Sequence, residues 1–180
     1  MDYASDLIQH YESLWGRMCR RLFMTAGPIQ DLPDGYQVGE FFDDKKQLWI
    51  YATINAADNR SGLEFHLIAP IADEQHVQTL SVLAYYGLTT APLGVGHTLN
   101  LGEGWLADSV CDHLLLSLPY LYGKNLEHFN HHEINIQCLW VLPITRSERA
   151  FKAKHGLEAL ESKFEEQGIE FADPNRVSVV

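Results

Sequence analysis

The stretch that decides the fold runs from Leu139 to Val180 and reads LWVLPITRSERAFKAKHGLEALESKFEEQGIEFADPNRVSVV. It opens with an apolar, β-rich run that stops at Pro143. The segment Thr145–Glu148 that follows is a capping box, in which the threonine hydroxyl and the glutamate carboxylate each accept a hydrogen bond from an otherwise unpaired N–H at a helix start. We therefore predict a strand, then a helix that Thr145 caps, then a last helix that ends at Gly168.

The start of this stretch, together with the residues just before it, predicts the central strand of a sheet. Ile134–Leu142 is apolar on both of its faces, which is typical of a strand that is covered on both sides. One face carries the alternating residues Ile134, Ile136, Cys138, Trp140 and Leu142, and Leu139 and Val141 lie on the other. We expect Trp140 to be buried.

The rest of the chain supplies further elements. Strands are predicted at Tyr36–Phe42, Leu48–Asn55, Leu63–Ala69 and His113–Leu118, with a hairpin turn at Asn59–Gly62. The third strand alternates, so Glu64 and His66 are expected on a solvent face. Helices are predicted from Asp2 to about Phe23, and from an Asp73 cap to Gly87 and Pro92. Because helices and strands do not alternate strictly, we predict one α+β domain over residues 1–180, with a mixed or antiparallel sheet flanked by helices.

Composition and charge limit the function. The chain has 180 residues, 24 acidic against 13 basic, and a net charge of −11, which argues against binding to nucleic acid and suits a basic partner. No apolar run is long enough to span a bilayer, and the N-terminus does not read as a signal peptide. The three cysteines, Cys19, Cys111 and Cys138, are far apart and predict reduced thiols. We expect a cytoplasmic protein with no membrane contact.

Motifs for chemistry are weak. His128, His131 and His132 do not have the spacing of a zinc site, so a solvated polar turn is expected there. The glycines of residues 94–104 do not form a phosphate loop, and no cofactor or metal is predicted. An alternative function is a hydrolase or metal-dependent enzyme that uses His97, Asp112 and His113 with Ser109, although the strained elbow of a serine nucleophile is not visible.

The long glycine-rich segment Thr89–Asp112 is the candidate binding site, because long irregular loops often carry function. We expect a concave patch for a protein partner, in which Trp105 is an aromatic anchor and Asp112 sets orientation and on-rate. The patch is predicted to be lined by Tyr86, His97, Asn100, Trp105 and Asp112. Two alternatives stay open: the segment closes the core around a buried Trp105, or it covers the pocket of a small-ligand sensor.

These pieces together resemble the suppressor of fused (SUFU) family, in particular its single-domain bacterial branch. The resemblance covers residues 36–180 and adds little for the helix at residues 1–23. It is carried by GLEFHLIAP, HVQTLSVLAYY, GHTLNLGEGW, DHLLLSLPY, LWVLPITRSERAFKAKHGLEALESKFEE and the terminal DPNRVSVV with Arg176. The strand–Pro–Ile–Thr–capped helix segment and the closing arginine are its most specific parts.

The resemblance implies a fold like the N-terminal domain of animal SUFU and a role in protein–protein interaction without catalysis. The animal proteins bind a short peptide of Gli-type transcription factors between two domains, and this chain ends where their second domain would begin. Where the animal branch carries an acidic peptide-binding residue, this chain has Gly96, which counts against Gli-like binding. Bacterial relatives are proposed to be immunity proteins against polymorphic toxins, so a basic toxin domain is one expected partner.

Overall fold

The computed structural model describes residues 2–24, 29–57, 62–132 and 134–180. The chain divides into two compact units. The first comprises Met1–Val95 and Leu118–Trp140, and the second comprises Gly96–Ser117 and Val141–Val180.

Helices and strands follow one another without strict alternation, and their bounds are as follows. The helices are α1 (Tyr3–Trp15), α2 (Gln75–Thr89), α3 (Lys124–Glu127), α4 (Arg146–His155) and α5 (Leu157–Gln167), with a 3-10 turn at Ile29–Asp31. The strands are β1 (Arg20–Leu22), β2 (Gln37–Asp43), β3 (Leu48–Ile54), β4 (Leu63–Ala69), β5 (Thr98–Asn100), β6 (His113–Ser117), β7 (His128–His131) and β8 (Ile134–Ile144).

The first unit holds a mixed sheet. Strands β1 to β4 are successive antiparallel neighbours, whereas β4 pairs in parallel with β8, with Leu63 opposite Gln137 and His66 opposite Trp140. Strand β7 pairs antiparallel with β8. Helix α1 covers this sheet with an apolar stripe in which Tyr11 and Trp15 contact the ring of Phe41. The predicted α+β class with a mixed sheet is therefore confirmed.

The second unit contains a short hairpin and two helices. Strands β5 and β6 are antiparallel, with Thr98 opposite Leu115 and Asn100 opposite His113. Strand β6 neighbours β8 in the strand order, and β8 also has β4 as a neighbour, so its predicted central position is confirmed. Trp140 is 7% exposed, as expected. Thr145 caps α4 through a complete capping box, and Gly168 ends α5 in the left-handed conformation.

The first helix is shorter than predicted. Its apolar spacing continues through Met18 and Leu22, but the helix ends at Trp15 because Gly16 has a φ of 90°, outside the helical region. Residues 20–22 form β1 instead and pair with Glu40, Gly39 and Val38 of β2. Here tertiary pairing overrides a helical pattern.

Other predicted features of the first unit also need correction. All residues of β4 are buried, including Glu64 and His66, which were expected to face solvent. Helix α2 begins at Gln75 and continues through Gly87 to Thr89, although the Asp73 carboxylate does accept a hydrogen bond from the N–H of Gln75. Residues 128–131 form a strand and not a turn. The predicted hairpin turn at Asn59 lies outside the described residues.

Candidate functional site

The segment Gly96–Asp112 is a hairpin arm rather than an irregular loop. The N–H of Gly96 donates to the Leu116 carbonyl at 2.7 Å, and the N–H of Leu116 donates to the His97 carbonyl at 2.9 Å. The N–H of Leu101 donates to the Asp112 carbonyl at 2.9 Å. Gly96 has a φ of 83°, a conformation that favours glycine, where the chain enters the hairpin. The hairpin holds a three-residue strand, β5, within the stretch that the sequence predicted as a loop.

Strand β5 has an open edge. It stands at the end of the strand order, with β6 as its one neighbour among the described strands. Backbone groups of an antiparallel strand face its partner at every second residue. Because His97 and Leu101 direct their carbonyl and N–H to β6, the backbone groups of Thr98 and Asn100 point to the opposite side. Within the described part of the chain, the backbone groups of Thr98 and Asn100 therefore form an edge without a strand partner.

The arm between β5 and β6 closes over a tryptophan. Trp105 is 1% exposed, and its backbone N–H donates to the Cys111 carbonyl at 3.0 Å. A side chain at Gly104 would meet the Ser109 carbonyl oxygen at a distance no real Cβ adopts, so glycine is required there. The Ser109 hydroxyl donates to the Pro174 carbonyl at 2.6 Å, which fastens the arm to the C-terminal tail. Both contacts are typical of an arm that closes a core.

Asp112 is held between two basic side chains. One carboxylate oxygen lies 2.7 Å from Nδ1 of His113, and the other accepts from Nη2 of Arg146 at 3.1 Å. Burial tends to raise the pKa of Asp112, but the hydrogen bonds and charges of His113 and Arg146 outweigh it and lower that pKa below its usual value. Asp112 is therefore anionic near neutral pH, with 21% of its side chain exposed.

The predicted site residues fall in different places. His97, Asn100 and Asp112 are carried by the β5–β6 hairpin, and the first two are exposed. Tyr86 is 37% exposed and lies on α2, in the first unit. Trp105 is on the same hairpin arm but buried. That these residues bind a partner stays a prediction, and the burial of Trp105 favours the alternative in which the arm closes the core.

Sequence reasoning missed two features of this site. It did not identify Arg146 as the partner of Asp112, because the capping-box motif that contains Arg146 gives no information on contacts 34 residues away. It also missed β5, since three residues between glycines give too short a signal for a strand. A short alternation flanked by glycines is the clue that was available.

The enzyme alternative finds little geometric support. The Ser109 hydroxyl donates to a backbone carbonyl and accepts from the N–H of Cys111, an arrangement that differs from a serine activated by an imidazole. In the described part of the chain, no group of three or more His, Cys, Asp or Glu side chains is placed to hold a metal ion. In strand β7, which the sequence predicted as a polar turn, the shortest contact between a histidine and a carboxylate joins His131 to Asp6 at 3.2 Å.

A cavity of about 330 Å³ lies in the first unit, at the end of α2. Its walls are mostly apolar and include Leu63, Phe65, Ala84, Leu88, Pro92 and Leu93. Thr89 and Thr90 are the hydroxyl-bearing side chains in this lining. The cavity could hold the ligand of the small-ligand alternative, and the described residues that line it carry no charge.

The closing arginine, Arg176, fastens the C-terminal tail. Its Nη1 and Nη2 donate to the two carboxylate oxygens of Glu148 at 2.6 and 2.7 Å, and Nη2 also donates to the Pro143 carbonyl. The same carboxylate accepts from the N–H groups of Thr145 and Val179. Burial lowers the pKa of Arg176, but the adjacent Glu148 carboxylate raises it by a larger amount. The pKa of Arg176 therefore lies above its usual value. The capping box and the closing arginine, the most specific parts of the sequence, are therefore joined by a buried ion pair between Glu148 and Arg176.

Comparison with known proteins gives consistent matches. Residues 39–177 match the family model of the suppressor of fused protein (SUFU). A crystal structure described as a SUFU homologue from Neisseria gonorrhoeae FA 1090 is 34% identical, with a TM-score of 0.87 over 100% of this chain and 98% of the other. No curated protein sequence matches the chain.

More distant structures share the fold. A chain of the Sufu–Fu complex is 11% identical, with a TM-score of 0.75 over 98% of this chain and 92% of the other. Drosophila Suppressor of Fused is also 11% identical, with a TM-score of 0.72, and the chain covers 96% of its own length but 50% of the Drosophila protein. Across the described residues, the helices are too short or too polar to cross a bilayer.

Proposed function

We propose a non-catalytic, protein-binding role for this chain, which belongs to the suppressor of fused (SUFU) family. The observation that carries the proposal is the open edge of β5 beside the anionic Asp112. An extended peptide can add to such an edge through backbone hydrogen bonds, while neighbouring side chains select its sequence. His97, Asn100 and Asp112 are the side chains on this hairpin that would make the selection.

A family member supports binding as the shared role. The Sufu–Fu complex is a structure of one such protein with a protein partner. At 11% identity this likeness concerns the fold, so the identity of the partner does not transfer. For the present chain the net charge of −11 favours a partner segment rich in lysine or arginine.

The most concrete form of this role is immunity to a polymorphic toxin with a basic domain. Such a protein would act in the cytoplasm, where thiols stay reduced. Cys111 and Cys138 are buried free thiols and Cys19 is an exposed one, in agreement with that compartment. A toxin gene directly upstream of the gene for this chain would support the immunity role.

The role is tested by capturing partners from the native host with two baits, the wild type and Thr98→Pro, followed by mass spectrometry. Proline removes the N–H of residue 98, which points away from β6, so the hairpin keeps its own hydrogen bonds. Thr98→Val is the matched control because it retains the N–H. We expect a protein that binds the wild type and the valine variant but not the proline variant. A partner that binds all three equally, once circular dichroism confirms folding, contradicts the proposed edge.

The electrostatic part is tested on the captured partner by its association rate. Asp112→Asn should slow association and reduce its dependence on salt, because a fixed negative charge steers a basic segment. Asp108→Asn is the control: it makes the same charge change on the same arm, and its φ of 63° suits asparagine as well as aspartate. Equal effects of the two substitutions would show that only net charge matters.

A further inference from the structure

A long part of this acidic chain carries no charge. None of the 24 acidic and 13 basic residues lies between Glu74 and Glu103. Helix α2 begins this segment, and its one histidine, His76, is buried, with burial lowering the pKa to about 4. Helix α2 is therefore electrically neutral at pH 7, although parts of it are exposed.

The exposed residues of α2 form one face. They follow one another at intervals of four, four and three residues, which keeps them within about 80° of arc on a helix of 3.6 residues per turn. We call them the uncharged face: Gln78, Val82, Tyr86 and Thr89. Val82 is 46% exposed and Tyr86 is 37% exposed, whereas Leu80, Leu83 and Ala84 on the other side of the helix are buried. Interface centres are typically depleted of charge and enriched in tyrosine.

The uncharged face is complementary to itself. In an antiparallel pair of α2 helices with a two-fold axis at Val82, Val82 meets its own copy, since a two-fold interface pairs the same patch with itself. Gln78 and Tyr86 are each four residues from Val82, so each Gln78 amide would face the Tyr86 hydroxyl of the other copy. The antiparallel arrangement also places each helix N-terminus beside the C-terminus of its partner, which favours the pair electrostatically.

We infer that the uncharged face of α2 binds a second copy of this chain. Two copies that each carry a charge of −11 repel one another, so they can approach most easily where neither surface is charged. A basic partner would gain nothing from this face and would select an acidic surface instead. The inference is separate from the proposed function, because it uses helix α2 rather than the edge of β5 and a different kind of partner.

Salt distinguishes the two kinds of partner. Raising the salt concentration from about 0.01 M to about 1 M shortens the screening length from about 30 Å to about 3 Å. Screening removes the repulsion between two acidic copies, so dimer formation should strengthen as salt rises. Binding to a basic partner should weaken over the same range.

The test is sedimentation equilibrium of the whole chain across this salt range, with variants whose folding is checked by circular dichroism. Val82→Glu places two carboxylates opposite each other at the axis and should weaken the dimer roughly 100-fold or more. Val110→Glu is the matched control, a valine that is 58% exposed in the other unit, and it should leave the dimer unchanged. A chain that carries Gln78→Lys and Tyr86→Glu, with Val82 unchanged, should also form a dimer. Salt should weaken this dimer, because opposite charges then face each other across the axis.

Several results would overturn the inference. They are a wild type that stays monomeric at every salt concentration, a dimer that salt weakens, or a dimer that Val82→Glu leaves intact. A dimer that Thr98→Pro abolishes and Val82→Glu does not would place self-association at β5.

Discussion

Among the described residues, each unit has one glutamate with no exposed surface, and the two carboxylates are held in different ways. Glu148, in the second unit, is fully buried and paired with the guanidinium of Arg176 through two hydrogen bonds. Glu64, in the first unit, is also fully buried, but its described hydrogen bonds come from neutral groups. They come from the hydroxyls of Tyr3 and Thr53 and the N–H groups of Ala56 and Ala57.

The difference determines how each carboxylate affects the stability of its unit. An ion pair is costly to break from one side, because the remaining charge stays buried without compensation. A carboxylate held by neutral donors can instead take up a proton. Burial raises the pKa of Glu64 more than its four hydrogen bonds lower it. We therefore expect the contribution of Glu148 to the free energy of unfolding to depend mainly on whether its ion-pair partner is present. The contribution of Glu64 should depend mainly on pH.

The largest expected effect is from Arg176→Ala. It leaves the Glu148 carboxylate buried and unpaired and removes the contact with the Pro143 carbonyl, so unfolding free energy should fall by about 3–5 kcal/mol in urea titration. Arg146→Ala is the control, because that arginine also pairs with a carboxylate but is 80% exposed and should cost at most about 1 kcal/mol. Similar losses for both substitutions would mean that burial of the pair is not what matters.

A second prediction concerns Glu64 and pH. A carboxyl group whose pKa is raised on folding stabilises the folded state fully below its unfolded pKa, near 4.5, and this contribution is lost as the pH rises through the folded pKa. Glu64→Gln cannot titrate and leaves one backbone N–H without an acceptor, so it should cost about 1–3 kcal/mol at low pH. Its deficit relative to the wild type should shrink as the pH rises.

The measurement is urea unfolding at a series of pH values from about pH 4 upward, because a carboxyl with a raised pKa loses its stabilising contribution above its unfolded pKa. Glu74→Gln is the matched control, because it makes the same change at a carboxylate that is 81% exposed. A deficit of Glu64→Gln that grows with pH would mean that the pKa of Glu64 is lowered and not raised.

The same two carboxylates show how far the sequence could predict the structure. The sequence predicts Glu148 as half of a capping box because that is a local motif, whereas Arg176 stands out only through the resemblance to the SUFU family, and the ion pair between the two is not predicted. Glu64 was expected in solvent, since alternation tells which residues share a face but not whether the second face is covered. That cover comes from distant residues of α1: Tyr3 donates to Glu64, and the ring of Trp15 contacts that of His66.

The candidate site follows the same rule. His97, Asn100 and Asp112 lie on one hairpin because they are close in sequence, and that they form one binding patch stays a prediction. The position of Tyr86 relative to them depends on long-range packing, which spacing does not encode. The first helix was extended too far because its apolar period continues, whereas the positive φ of Gly16 is a single-residue event that ends it.

The smallest of these effects is expected from Thr145→Ala, which removes a hydrogen bond to the backbone of Glu148 but leaves its ion pair with Arg176 in place. The Thr145 hydroxyl accepts the N–H of Glu148 at 3.2 Å, and its loss should cost about 1 kcal/mol in urea unfolding. Asp2→Ala makes the equivalent change at the cap of α1, where the carboxylate accepts the N–H of Ser5 at 2.8 Å in an exposed position.

Thr145→Ala should cost more than Asp2→Ala, because the Thr145 hydroxyl also contacts the Ser178 hydroxyl and so helps to hold the tail that carries Arg176. Thr145→Ser keeps the hydroxyl and should recover most of the loss. If serine and alanine are equally destabilising, the threonine methyl group and not the cap accounts for the effect. Combined with Arg176→Ala, the Thr145→Ala cost should differ from its value in the wild type, since both residues contact the same carboxylate.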